Sequence, residues 1–335
     1  MNRIFYLLLL ILLISSCKKS IFEDKSHDPE FIFDSWWNEI DRNYSFFQYS
    51  RINWDSVYST YRPTVTPNTS DDKLFRLLSK MTDLLHDAHT NIYTPQGIAG
   101  NIYYFDKYQA NEILLNDSYF DYYNTGRIFE YGKLKKANIG FIKIKTFLGE
   151  GKSFEDIDSI LQALNTTKGI IIDVRSNFGG EISNSEIIAA RFTDSTRIAG
   201  RYRVRNGPRH DDFSEWVDIF SSPLKKRTTD AKQVIILTNR KSYSATEWFV
   251  MLAKASPIVT TIGDTTGGGS AIPIVRELPN GWIIRTSNTQ MRTASGYDFQ
   301  FIGIYPDVPV WISAQDAEKG VDSILERAIL EMEGE

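Results

Sequence analysis

The chain of 335 residues is 42% hydrophobic, 13% aromatic and 24% charged. That composition excludes disordered, collagen-like and coiled-coil proteins and suits one large globular domain, or a large one with a smaller companion. A formal charge of -4 and a pI near 5.7 leave no basic footprint, so no nucleic acid partner is expected; one cysteine excludes a disulfide framework, a multi-cysteine zinc site and an iron–sulfur cluster.

The N-terminus carries Arg3, an unbroken apolar run from Ile4 to Ile14, two serines and then Cys17. As a helix the run would be about 16 Å long against a hydrocarbon core of about 30 Å, too short to span, so it reads as a secretory signal. The ending Ile14-Ser15-Ser16-Cys17 looks like a bacterial lipobox. The expectation is a signal peptide over 1–16, lipidation at Cys17 and a tether over 17–28. A globular part would then sit outside the cytoplasm on a membrane surface, held by acyl chains that each contribute roughly 0.8 kcal/mol per buried methylene.

From Phe31 to about Leu85 the texture is helical. Leu74, Leu77, Leu78, Met81, Leu84 and Leu85 form one stripe of a 3.6-residue period, expected to pack against Phe33, Trp36, Trp37 and Ile40 of an earlier helix. Pro63 and Pro67 mark the loop between them. This gives a small helical domain over 29–95. The stretch 96–137 is rich in Tyr and Asn and reads only as connecting strands and turns, too short for a PDZ module. From 138 onward, apolar runs beginning at Ile139, Gly169, Gln233 and Ile258 alternate with helical patterns at 154–164, 183–192 and 245–255. That alternation predicts an α/β core with a largely parallel sheet over 138–335. Pro279-Asn280-Gly281 predicts a hairpin, and Val321, Ile324, Leu325, Ala328 and Ile329 a final amphipathic helix.

Four segments could hold chemistry. Ser244 follows a buried strand and begins a helix, where free N–H groups favour an oxyanion; with Glu247 three residues on it also fits a capping box. The run Asp173-Val174-Arg175-Ser176-Asn177-Phe178-Gly179-Gly180 ends in paired glycines whose N–H groups could join an anion hole, or simply turn the chain. His89, in Leu85-His86-Asp87-Ala88-His89-Thr90, is a candidate general base; it could equally be a surface histidine, or with His86 and Asp87 part of a metal site. Gly263 to Ser270 lacks the Lys-Ser/Thr of a phosphate loop and reads as a flexible turn between strands.

In this order these segments, with Gly-Ile-Tyr-Pro-Asp at 303–307, resemble the C-terminal processing (tail-specific) serine protease family, in its tricorn-like branch. The resemblance runs from about Phe31 to the C-terminus. It implies a ClpP/crotonase-like ββα-spiral catalytic core preceded by a small helical domain. It also implies Ser244 as nucleophile, His89 as base, and an oxyanion hole from Ala245 with Gly180 or Gly179. The lysine of the processing branch is Gly269 here, the branch's serine before the histidine is Ala88, and its histidine-orienting glutamate is Gln300, with Asp298 or Asp307 as substitutes. No metal or organic cofactor is implied. The expected function is a serine endopeptidase acting on unfolded or flexible protein segments, which could be held as an added strand at the sheet edge near Gly179. The alternative is a catalytically impaired lipoprotein of the same fold that binds peptides or other ligands.

Overall fold

Asp28 opens the first helix, α1 (Pro29–Asn43): its carboxylate accepts from Glu30 N at 3.0 Å, and Pro29, with no N–H to satisfy, takes the first helical position. The computed structural model describes residues 26–101, 114–115, 117–135, 137–224 and 233–334; Cys17, the signal segment and most of the tether lie outside the described residues. The short α2 (Phe47–Ser50), α3 (Trp54–Tyr61) and α4 (Asp71–Asp83) follow, the last capped by Ser70 Oγ on Lys73 N. The predicted stripe is largely realised. Leu74, Leu78, Met81 and Leu85 are fully buried with Phe33, Trp36 and Ile40, whereas Leu84, one residue past the end of α4, turns outward.

The strands and remaining helices run β1 (Asn91–Thr94), β2 (Gly97–Gly100), β3 (Phe120–Asn124), β4 (Phe129–Leu134), β5 (Gly140–Ile144), α5 (Ile157–Ala163), β6 (Ile170–Asp173), α6 (Ile182–Ala189), β7 (Arg197–Val204), β8 (Val217–Ser221), β9 (Val234–Thr238), α7 (Ala245–Lys254), β10 (Val259–Gly263), β11 (Pro273–Glu277), β12 (Ile283–Ser287), β13 (Thr289–Thr293), β14 (Val308–Pro309), α8 (Ala314–Glu318) and α9 (Ser323–Glu333). A seven-stranded sheet has the order β14-β10-β9-β6-β5-β4-β3, parallel from β14 to β5 and antiparallel at β4 and β3. Its central strands β6 and β9 are buried at every residue, as apolar runs flanked by helices on both faces require. The α/β class read from the alternation is the class observed.

Two further antiparallel sheets complete the architecture, β13-β7-β8 and β11-β12-β1-β2. The second is decisive for the site. The four N-terminal helices do not enclose their own core; Trp36, Trp54 and Leu78 share it with Ile92 of β1 and with Ala271, Leu278, Trp282 and Ile284 around the predicted hairpin. The connecting stretch is divided: β2 joins that sheet, while β3 and β4 extend the large one. The loop after α4 is thus clamped onto strands that follow Ser244 by some 40 residues in sequence, and this brings residues 86–90 to the cleft at Ser244.

Candidate active site

Between β9 and α7 the chain turns sharply. Asn239 Oδ1 accepts from Ser176 N at 2.9 Å and Lys241 N at 3.0 Å, and Ser242 Oγ donates to Val174 O at 2.9 Å. The turn leaves Ser244 at φ +61° and ψ -124°. Side chains rarely adopt that region, at a cost of about 1–3 kcal/mol, and such strain persists only where the surroundings hold it. Here Ser244 N donates to Glu247 Oε2 at 3.1 Å, and the hydroxyl faces the cleft.

His89 arrives from the other side. Its Nε2 lies 2.9 Å from Ser244 Oγ across 155 positions of sequence. Asp87 fixes the loop that carries it: the carboxylate accepts from His89 N at 2.9 Å, Thr90 Oγ1 at 3.0 Å and Ser287 Oγ on β12 at 2.6 Å. The Tyr243 ring packs against the imidazole with centroids 4.8 Å apart. Burial, and then the nearby Arg285 charge, push the His89 pKa well below its ordinary 6.5. The ring is therefore neutral at physiological pH and able to accept a proton. His86 is exposed with φ +51°, and among the described residues no group of three His, Cys, Asp or Glu side chains is placed to hold a metal.

The paired glycines lie against the nucleophile turn. A Cβ on Gly179 would sit 2.8 Å from both Ala245 N and Ser244 Cβ, and one on Gly180 would sit 2.2 Å from the Phe147 carbonyl carbon. Only glycine permits that approach, and both have positive φ. Gly179 N is committed to Asn177 Oδ1 at 2.9 Å, so in this arrangement its N–H is not available to a ligand. Among the described residues, Gly180 N and Ala245 N donate to no protein acceptor. Asn177 ties the two sides together, since its carbonyl accepts from Tyr243 N at 3.1 Å and Thr246 Oγ1 at 2.9 Å. The sheet edge suggested for a substrate strand is already taken on one side, because Gly179 O accepts from Phe147 N at 2.9 Å.

Glu247 has a larger role than capping. It is fully buried; Oε1 accepts from Thr266 Oγ1 at 2.6 Å and Gly268 N at 2.8 Å, and Oε2 from Gly269 N at 2.7 Å besides Ser244 N. Burial raises its pKa, but all four neighbours are donors, so the set matches the ionised form. The glycine-rich segment from Gly263 to Ser270 is accordingly a buried loop bound to Glu247 and not the flexible turn expected from its composition. The available signal was that Glu247 is the lone acid in an otherwise apolar helix start, Ala-Thr-Glu-Trp-Phe-Val-Met-Leu-Ala. Asp173 and Arg175 are likewise structural. Arg175 is fully buried between Asp173 at 2.7 Å and Asp322 at 2.8 Å, which staples the end of β6 to the start of α9.

Gln300 sits in this buried layer, but its oxygen accepts from Ser270 N at 2.7 Å and Ser270 Oγ at 2.8 Å. Because Ser270 N can only donate, the amide oxygen is fixed toward it. Among the described residues, His89 Nδ1 and Gln300 Nε2 have no hydrogen-bond partner. The expected bond from His89 to Gln300 is thus not made in this arrangement. Asp298 accepts from Gln300 N and from the Tyr49 hydroxyl, and Asp307 from Thr261 N and Lys254, so neither substitutes. At Gly269, a Cβ would meet the Tyr243 ring at 2.2 Å. The start of a lysine side chain at 269 would therefore overlap the ring that seats His89.

Comparison with known proteins identifies the family. The family model "Tricorn protease C1 domain" matches residues 26–83, the helical segment. The carboxy-terminal processing protease CtpA of Bacillus subtilis (strain 168) is 27% identical over 180 residues, 53% of this chain but 36% of that protein. The chain therefore matches little more than a third of that relative's length. Mature CPAF has a similar fold, with a TM-score of 0.68 at 11% identity over 91% of this chain and 96% of its own. A candidate peptidase from Parabacteroides merdae ATCC 43184, known from a crystal structure, has a TM-score of 0.82 and 34% identity over 91% of this chain and 96% of its own. With that likeness across nearly the whole length, and with the model for peptidase family S41 matching residues 138–310, half of the sequence and all of the Ser244 side of the cleft, the chain belongs to peptidase family S41.

Proposed function

We propose that the protein is a serine endopeptidase that cuts unfolded or flexible protein segments, with Ser244 as nucleophile and His89 as general base. The observation that carries this reading is the 2.9 Å approach of Ser244 Oγ to the neutral His89 Nε2 at the mouth of an open cleft. Ser244 Oγ bonds to the peptide carbonyl carbon as its proton passes to Nε2. The oxyanion is held by Ala245 N–H and Gly180 N–H. His89 returns the proton to the leaving amine as the C–N bond breaks, and water then cleaves the acyl ester by the same route in reverse. A cavity of about 430 Å³ beside Ser244, walled by Ile182, Trp248, Ala271, Ile272, Met291 and Phe299, suits an apolar side chain next to the scissile bond.

In this reading 1–16 is a lipoprotein signal, Cys17 carries the lipid, 17–28 is a tether, and the catalytic core of 138–335 works outside the cytoplasm at a membrane surface, with the helical 29–95 supplying the base. Among the described residues no helix is long and apolar enough to cross a membrane. The unpartnered His89 Nδ1 favours one second reading, a catalytically impaired member that binds peptides. Fluorophosphonate labelling separates the two. Wild-type labelling that Ser244→Ala abolishes and His89→Ala slows by about 10⁴-fold supports the peptidase. A folded wild type that stays unlabelled supports the binding protein.

A further inference from the structure

Arg285 occupies the middle of the cleft wall. It lies on β12, opposite Asn91 of β1 and Val275 of β11, and it lines both cavities that open at Ser244, the one of about 430 Å³ and a second of about 640 Å³ on the His89 side. It is half-buried, and its side chain makes one long hydrogen bond, Nη1 to Asn91 Oδ1 at 3.3 Å. Among the described residues no carboxylate lies within ion-pairing distance of it. Other arginines withdrawn from solvent are more fully satisfied: Arg62 is paired with Glu30 and Asp34, Arg175 with Asp173 and Asp322, and Arg191 with Asp158, while Arg205 and Arg203, which among the described residues also lack a carboxylate, donate to the carbonyls of Asp41, Arg42 and Gly207 and twice to Gln290 Oε1.

The charged groups around Arg285 do not supply its partner. Asp87 is near enough to be felt, but its oxygens are bound to His89 N, Thr90 and Ser287. Lys145, which lines the larger cavity, is paired with Glu130. Glu181 stands on the rim of both cavities, exposed to water where α6 begins, and makes no ion pair with Arg285. A guanidinium held this way is a preformed fork for a carboxylate.

We propose that Arg285 anchors a carboxylate subsite, so that preferred substrates place an acidic side chain, or a C-terminal carboxylate, beside it when the scissile carbonyl reaches Ser244. This rests on the peptidase reading. The physical gain lies in the charges around His89. The proton taken by His89 creates an imidazolium that Arg285 repels and that the neutral Gln300 does not compensate. A substrate carboxylate on Arg285 cancels that repulsion only while substrate is bound, so the charge that the site lacks arrives with the ligand.

The test uses the full chain and matched internally quenched peptides: an amidated peptide with one Glu, its Gln counterpart, and the Gln peptide with a free C-terminus. Cleavage of the Glu or the free-terminus peptide should exceed that of the amidated Gln peptide by about tenfold or more in kcat/KM, and which of the two wins identifies the source of the carboxylate. Arg285→Gln should bring the ratio to about one, and Arg285→Glu should transfer the preference to a Lys-bearing peptide. An unchanged thermal unfolding midpoint of Arg285→Gln shows an intact fold, and labelling of the wild type by the neutral fluorophosphonate probe shows an activated serine. Binding of the same peptides to Ser244→Ala reads the subsite without catalysis. Equal cleavage and equal binding in a protein that labels overturn the subsite alone; absence of labelling overturns the peptidase reading, and a carboxylate preference in binding would then survive it.

Discussion

The two halves of the cleft are built to different standards. On the nucleophile side the polar groups are closely matched to one another: Glu247 accepts four hydrogen bonds, Asn177 joins the glycine pair to the turn, and the strained Ser244 is held in place by them. On the histidine side the backbone is equally well fixed through Asp87, yet the imidazole itself has one ring nitrogen on Ser244 and, among the described residues, the other on nothing. In a serine–histidine pair the third group fixes the tautomer and stabilises the imidazolium. In the proposed reading, preorganisation of an oxyanion site and electrostatic support of its base are separable, and this chain has more of the first than of the second.

The largest break in the comparison should come from the well-built half. Glu247→Ala leaves the N–H groups of Ser244, Gly268 and Gly269 and the Thr266 hydroxyl without their acceptor in a buried layer. A stability loss of about 3 kcal/mol or more is expected in urea unfolding, together with a fall of about 10²-fold in fluorophosphonate labelling. A variant that unfolds like wild type and labels at the same rate would reduce Glu247 to an ordinary cap. Gly269→Ala acts at the junction of the halves, where the new methyl must displace the Tyr243 ring that packs against His89. Overpacking of this kind costs about 1–3 kcal/mol, and labelling should slow more than stability falls because the displaced ring is the one that seats the base.

The weak half can be sharpened. Gln300→Glu keeps an acceptor for Ser270 and exchanges the unpartnered Nε2 for a second carboxylate oxygen in the same buried layer. Labelling about tenfold faster than wild type would show that the base is limited by missing charge. Labelling that stays the same or slows would mean that the third group is not the limitation.

Much of the well-built half is legible in the sequence, and the reason is local. Buried parallel strands leave continuous apolar runs, a strand-to-helix turn leaves Ser-x-Ser-Ala-Thr-Glu, and paired glycines mark close approach. What escapes depends on contacts between distant segments. The strands from Arg197 to Ser221 half face solvent and carry no clean alternation, so they leave no strand signal. The glycine-rich loop reads as flexible because its rigidity comes from Glu247, some 20 residues earlier. The choice of Gly180 over Gly179 turns on one hydrogen bond to Asn177. Arg285 shows no signal, since it is one arginine in a hairpin until β12 is laid beside the histidine loop.

The smallest expected effect measures that last contact. Burial and the Arg285 charge both hold the His89 pKa well below 6.5, so the base stays neutral, and labelling stays on its plateau, as pH falls past the point where an ordinary histidine would protonate. A base titrating at 6.5 would lose about tenfold in rate by pH 5.5, whereas the wild-type loss there should be smaller. Arg285→Gln removes one of the two causes and leaves the burial, so its acid limb should move up toward 6.5 without reaching it. Its plateau should rise modestly, because a more basic imidazole is the better proton acceptor. Asp87, bound to the His89 backbone, and Tyr243, packed against its ring, are present in both proteins and cancel from the comparison. A wild-type limb already at 6.5, or a limb that ignores the Arg285 charge, would show that the hydroxyl is activated by something other than a desolvated histidine.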